Sequence, residues 1–183
     1  MSKLTGFERD IKKLASTLHK ASSVEGPRAV SSALNKTGAK IRTLVIRDVA
    51  KETKVPQKLI RKKAYFSKST ARKQRASISL YRSGVPLISI AGGKNAVQEP
   101  APGWISVKGF FVERGFINTV KRTGKRHVLQ RKGKARNPID VVKINIHRAI
   151  DKSVPKRTAQ LMRSDFPRLL KRDLEYRISK HVK

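Results

Sequence analysis

At 183 residues the chain has room for one domain with a hydrophobic core, or for a core with a protruding arm. Its 44 Lys and Arg against 12 Asp and Glu give a formal net charge of +32, so a polyanion or an acidic partner is the natural expectation. Lack of cysteine excludes disulfides, thiolate nucleophiles and Cys-based metal sites, and no stretch reaches the roughly 18 apolar residues that span a bilayer. Only 5% of residues are aromatic, so the core must be aliphatic and thin.

In chain order, Phe7, Ile11, Leu14 and Leu18 recur at helical spacing and predict an amphipathic first helix with Lys12, Lys13 and Lys20 outside. Glu8 and Asp10 stand where a signal peptide needs an apolar run, so synthesis in the cytosol is expected. A break is predicted at Ser22 to Gly26. Pro27 suits the first turn of a new helix, whose stripe of Val30, Leu34, Ile41, Val45 and Val49 runs to about Thr53. Gly38 sits inside that stripe at a helical cost of about 1 kcal/mol relative to Ala. Pro56 opens a further short helix, PQKLIRKKAYF.

The period then changes from helical to alternating. Ala76, Ile78 and Leu80 alternate with Ser77, Ser79 and Tyr81, which predicts a strand; Ser83–Gly84 makes a turn. VPLISIAG is expected as a second strand paired with the first, with Pro86 favouring an edge. Residues 91–103, AGGKNAVQEPAPG, are expected to project as a flexible loop. WISVKG, GFINTV, RHVLQRK and VVKINI follow as short strands, and HVLQR, RKGKAR and PIDVVKI form a strand, a charged tip and a return strand.

From Asp151 onward the pattern is helical again, with a fresh start predicted at Pro167 capped by Asp165. Leu170, Leu174, Arg177 and Ile178 form its expected inward face. Helices, then strands, then helices is an α+β order. The expected architecture has N-terminal helices, a central mostly antiparallel sheet of short strands with an extended basic loop, and C-terminal helices. A single domain 1–183 would comprise a helical region over 1–65, a sheet region over 75–148 with the loop 91–103, and helices over 151–183.

Catalytic chemistry finds little support. His19, His127, His147 and His181 are far apart and none has an HxxxH or HxH partner; carboxylates are interleaved with cations as in KRDLEYR, which is ion-pair spacing. No GxxxxGK[ST] or GxGxxG occurs. No cofactor, metal or small-molecule substrate is expected.

The basic residues are segregated. No Asp or Glu occurs from Thr53 to Gln98, nor from Arg114 to Ile139. The first tract carries Arg61, Lys62, Lys63, Lys68, Arg72, Lys73 and Arg75. The second carries Lys121, Arg122, Lys125, Arg126, Arg131, Lys132, Lys134 and Arg136. With Tyr65, Phe66 and Tyr81 the only aromatics nearby, sequence-tolerant contact to phosphates or acidic side chains fits better than base stacking. Residues 47–64 also have the outline of a helix-turn-helix, with Lys54 where Gly often stands and a strand pattern in place of the third helix. A nucleic-acid-binding protein, sequence-independent or using that outline, is therefore the alternative reading.

VAKETKVPQKLIRKKAYFSKSTARKQRASISLYRSGVPLISI, followed by GFINTVKRTGKRHVLQRKGKARNPIDVVKI, resembles the minor tail protein Z family of lambda-like long-tailed phages, also called tail completion proteins. Order and spacing hold over roughly residues 25–150, and the two ends resemble the family only in character. The resemblance implies a structural virion protein, not an enzyme. It would act at the head-proximal end of the tail beside the tail terminator and other neck proteins, as a hexameric ring matching the tail's symmetry. Tape-measure protein and double-stranded DNA are further implied partners.

Magnitudes decide what so much charge could serve. A chain of this length has a radius of gyration of about 16 Å, so a ring about 40 Å thick would face about 24 phosphates of a duplex. Six copies at +32 each bring 192 formal positive charges. Phosphates could absorb only a small fraction, so docking on acidic protein surfaces is the leading use and DNA contact the second. Segments such as 61–75 and 91–103 are polar enough to order only on docking, and the isolated chain is expected to be monomeric or heterogeneous in size.

Overall fold

The computed structural model describes residues 16, 19, 21–92, 97–120, 124–133 and 138–182. The predicted first helix at Phe7–Leu18 lies outside the described residues, apart from helical Ser16. The predicted break before Pro27 is instead a π-helical turn, Ala21–Glu25, leading directly into helix α1, Gly26–Thr53. Proline has no N–H to give to the preceding turn, and a widened π turn carries the chain past it. Of the predicted α1 stripe, Ile41, Val45 and Val49 are buried, whereas Val30 and Leu34 are half-buried and Ala29, Ala33 and Thr37 are buried in that half of the helix instead.

Lys54, in the left-handed region at φ 55, ends α1. Helix α2, Gln57–Arg61, is only five residues long, too short for a recognition helix in a groove. Strand β1, Ala64–Ser67, follows where the sequence predicts helix; it pairs with β2, Ser77–Leu80.

Strand β3, Val85–Pro86, and helix α3, Leu87–Ala91, replace the predicted VPLISIAG strand. β3 does not pair with β2. It runs antiparallel to β10, Lys143–Ile144, and a Cβ on Gly84 would lie 2.9 Å from the Ile144 carbonyl, so the bare glycine permits that approach. Leu87, Ile90 and Ala91 are buried at i, i+3 and i+4, a spacing that an unbroken apolar run fits as well as alternation. The expected loop 91–103 is interrupted by strand β4, Gln98–Ala101; residues 93–96 lie outside the described set.

Two antiparallel three-stranded sheets follow. The first contains β4, β5 (Trp104–Val107) and β6 (Phe110–Glu113). The second contains β7 (Gly115–Val120), β8 (Lys125–Arg131) and β9 (Ile139–Val141). The two predicted strands do pair, β8 with β9 through Leu129–Val141, Gln130–Asp140 and Arg131–Ile139. Residues 134–137 of the tip lie outside the described set, and the predicted return strand PIDVVKI is split into β9 and β10.

The C-terminal segment is one helix, α4, His147–Val182, with Pro155 and Pro167 inside it; no new helix starts at Pro167. Both prolines are on exposed positions, where the ring meets solvent rather than a packed neighbour. Of the expected inward face, Leu170, Leu174 and Arg177 are half-buried, whereas Ile178 is exposed and Asp173 is buried instead.

The α+β chain divides into two compact units, and both long helices contribute residues to each. A helical unit comprises Met1–Leu44, Tyr65–Ser79 and Val154–Lys183; a sheet unit comprises Val45–Ala64 and Leu80–Ser153. Most of the buried aliphatic residues belong to the sheet unit, including Val45, Val49, Ile60, Leu87, Ile90, Ile105, Val107, Val128 and Ile146. Each full burial of such a side chain is favourable by about 1.5–3 kcal/mol. α3 packs on β5 and β8, which joins the two sheets around a common core.

Candidate partner-binding surfaces

The first basic tract is built on α1 and β1. The Ser69 carbonyl accepts from Ser31 Oγ and from Asn35 Nδ2, both at 2.9 Å, and its N–H donates to Asn35 Oδ1 at 2.7 Å. Ser69 Oγ donates to the Lys73 carbonyl at 3.1 Å, and the Thr70 N–H reaches the same carbonyl at 3.0 Å. The loop expected to order only on docking is therefore already pinned. Lys68, Arg72, Lys73 and Arg75 stand exposed on it with no ion pair among the described residues. Arg61 and Lys62 are exposed at the end of α2. Half-buried Lys63 is turned to Ser83, donating to its carbonyl at 2.9 Å and its hydroxyl at 2.7 Å.

In the second tract, Lys125 and Arg126 are exposed at the start of β8. The Arg131 guanidinium lies 5.3 Å from the Phe116 ring centre, and Lys132 pairs with Asp140 at 2.6 Å. Lys121, Arg122, Lys134 and Arg136 lie outside the described residues. Arg131 and Phe116, with Arg114 and the backbone of Gly103, Gly115 and Gly133, line an open cleft of about 440 Å³. Arg114 takes φ 54 at the turn between β6 and β7. Its place in the cleft follows from that turn, which no spacing in the sequence announces.

The sequence also does not reveal a charged cleft of about 430 Å³ in the helical unit, lined by Arg28, Ser31, Ser32, Asn35, Lys36, Ala71 and Arg177. Beneath it Glu25 accepts from Arg28 and Arg177, each at 2.8 Å. The Arg177 bond holds the Glu25 carboxyl below its ordinary value of 4.5, against the upward pull of burial, with Arg28 adding to the lowering. Asp173 accepts from Lys36 at 2.7 and 2.8 Å. Burial raises its pKa, yet hydrogen bonds from Lys36 and Ser32 and the charges of Lys36 and Arg172 outweigh that and keep it below 3.8. Lys40 similarly lowers Asp165. Partners such as Glu25 and Arg177 are 152 positions apart, beyond the reach of any local charge pattern.

Among the described residues no cluster of His, Cys, Asp and Glu could hold a metal ion, and no helix is long and apolar enough to cross a membrane. His147 pairs with Asp151 at 3.1 Å, and half-buried His127 belongs to β8. The described surfaces present exposed cations on a pinned loop and a sheet, and clefts lined by Arg114 and Arg131 and by Arg28 and Arg177.

This is a protein of α+β fold whose described surface is rich in exposed cations. The chain belongs to the prophage minor tail protein Z family, which it matches over residues 4–183. It is similar to the tail completion protein of Escherichia phage N15, 29% identical over 168 residues that cover 88% of this chain and 89% of the relative. It is also similar to tail completion protein Z of Escherichia phage lambda, 24% identical over 194 residues covering 98% of each. No solved structure matches it. Membership bears out the resemblance of the two basic blocks and extends it to both ends of the chain.

Proposed function

We propose that this protein completes the head-proximal end of a phage tail, forming a hexameric ring beside the tail terminator that readies the tail for head joining and for positioning the DNA end. The observation that carries the reading is the family match over residues 4–183 together with two relatives, each covered for most of its length, named as tail completion proteins. The role is structural. It would be made in the host cytoplasm and retained in the virion.

Attachment is electrostatic in the first instance. The exposed cations of the pinned loop, Lys68, Arg72, Lys73 and Arg75, and those at the start of β8, Lys125 and Arg126, face solvent without ion pairs among the described residues. Acidic surfaces of neighbouring neck or tail proteins are the principal partner, and duplex DNA and the tape-measure protein are secondary ones. Screening and counterion release make such docking weaken as salt rises.

The test is a phage deleted for this chain. Tails without it should lack density at the head-proximal end and yield few infectious particles, both restored by supplying the protein. Complete tails with normal infectivity would overturn the reading. Binding to purified terminator should fall about tenfold or more between about 50 and 300 mM salt, and equal binding at both would remove the electrostatic element alone.

A further inference from the structure

The β4–β5–β6 sheet breaks the usual rule for a one-sided sheet. Its inner face is conventional, with Ile105, Val107 and Val112 buried. Strict alternation should then place polar residues on the outer face. Instead Trp104 and Phe111 point outward, 42% and 70% exposed. In the register Trp104 lies opposite Glu113 and Phe111 opposite Ser106, so the two rings are diagonal neighbours on the solvent face. Edge strand β4 is exposed along its whole length; it pairs Gln98 with Ser106 and Ala101 with Trp104, and Glu99 lies between them at a register shift.

Glu99 and Glu113 differ from most of the carboxylates among the described residues. Glu25, Glu52, Asp140, Asp151, Asp165, Asp173 and Glu175 are all engaged in ion pairs. Glu99 and Glu113 are exposed and form no ion pair among the described residues, although the chain carries 44 cations. Two aromatic rings with Glu113 on the same face and Glu99 on the adjoining edge strand, neither carboxylate ion-paired among the described residues, make a surface complementary to guanidinium and ammonium groups, through cation–π and charge contacts together.

We infer that this face binds the basic loop Lys68–Arg75 of a second copy of the same chain. The loop offers four exposed cations, unpaired among the described residues, on a backbone already fixed by Ser69, Ser31 and Asn35, so little ordering entropy opposes docking. Sheet face and loop are different patches, which makes the contact heterologous: each copy donates one patch forward and the other back, and the series closes into a ring or runs on as a filament. The inference rests on the ring reading above and supplies the surfaces that build it. Charge repulsion between copies at +32 keeps the contact weak in dilute solution and favours it where copies are concentrated on a tail end.

Charge exchange on the full-length protein tests it. Analytical ultracentrifugation from about 5 to 500 µM in about 100 mM salt should show concentration-dependent association of the unchanged protein. The sheet variant E99R/E113R and the loop variant R72E/R75E should each need about tenfold more protein, or beyond, to associate. Mixed one to one they should regain association, because alternating copies restore opposite charges at every junction. W104S/F111S, which alters no charge, should weaken association as well; circular dichroism melts establish that each variant folds.

A strictly monomeric unchanged protein, variants that associate normally, or a mixture that fails to recover would overturn the inference. So would a loop variant whose only defect is lost duplex binding. Restoration of infectivity by the unchanged protein in the deletion phage tests the tail role separately. E99R/E113R that fails to associate yet restores infectivity would leave that role standing and remove the ring contact from it.

Discussion

The helical and sheet units handle the same excess of positive charge in opposite ways. Among the described residues of the helical unit, four make up the buried apolar set (Ala29, Ala33, Ile41 and Leu161), and the buried polar residues outnumber them: Glu25, Ser31, Thr37, Ser69 and Asp173. Its elements are tied by hydrogen bonds and ion pairs between positions far apart in sequence. Among its described residues the sheet unit holds seventeen buried apolar residues and, of the buried polar ones, only Ser153. One unit is therefore held by oil and the other by charge, and only the second should respond strongly to pH and salt.

The largest effect that would sharpen this contrast is Ile105→Ala in the sheet unit. Ile105 is 1% exposed, and loss of its side chain should destabilise by about 3 kcal/mol in urea unfolding, with no dependence on pH. A cost below about 1 kcal/mol would mean that the sheet core is loosely packed and that the contrast fails.

Gly38→Ala probes the helical unit where it is tightest. A Cβ there would lie 2.6 Å from Phe66 Cε2, so the ring of β1 must move. Overpacking of about 1–3 kcal/mol exceeds the helical gain of about 1 kcal/mol from replacing glycine. Net destabilisation of up to about 2 kcal/mol is expected, relieved when Phe66→Leu is added; a thermal melt of the pair reads it.

The acid limb tests the charge-held unit directly. Glu25 and Asp173 have pKa values lowered by folding, so their stabilisation is complete above their ordinary values of 4.5 and 3.8 and is lost as pH falls through the lower folded values. Asp173→Asn should cost about 1 kcal/mol at neutral pH and flatten the fall in stability as pH drops below the carboxyl's ordinary value of 3.8. An unchanged acid limb for E25Q/D173N would break the comparison.

The smallest effect is expected at Lys54→Gly. Lys54 sits at φ 55, where a Cβ is strained, and glycine should stabilise by about 0.5–1 kcal/mol by urea titration.

Several elements were legible because their information is local. The α1 stripe, the strands of WISVKG through PIDVVKI, the α+β order and the two cation-rich tracts all appear in short-range periodicity and composition. Where apolar residues ran together, as in Leu87–Ala91, helix and strand patterns coincided, and packing on β5 and β8 decided for helix. Pro86 was correctly an edge residue, yet its partner was β10, admitted by Gly84 from far along the chain. Pro167 signalled a helix start, yet the helix runs through it; residues on either side, Asp165 and Asp173, pair with Lys40 and Lys36 of α1.

The candidate surfaces divide along the same line. That the protein carries exposed cations in two tracts, and that those blocks resemble a tail protein family, could be read from residue order alone, because charge and motif are properties of the chain. Which cations are free was decided by the fold. Lys63, Lys132 and Arg131 are engaged by Ser83, Asp140 and Phe116, while Arg72 and Arg75 are not paired among the described residues. The outward turn of Trp104 and Phe111, and the lack of an ion pair for Glu99 and Glu113 among the described residues, also belong to tertiary structure. A strand's alternation says only that two faces exist; which one is buried depends on what packs against it.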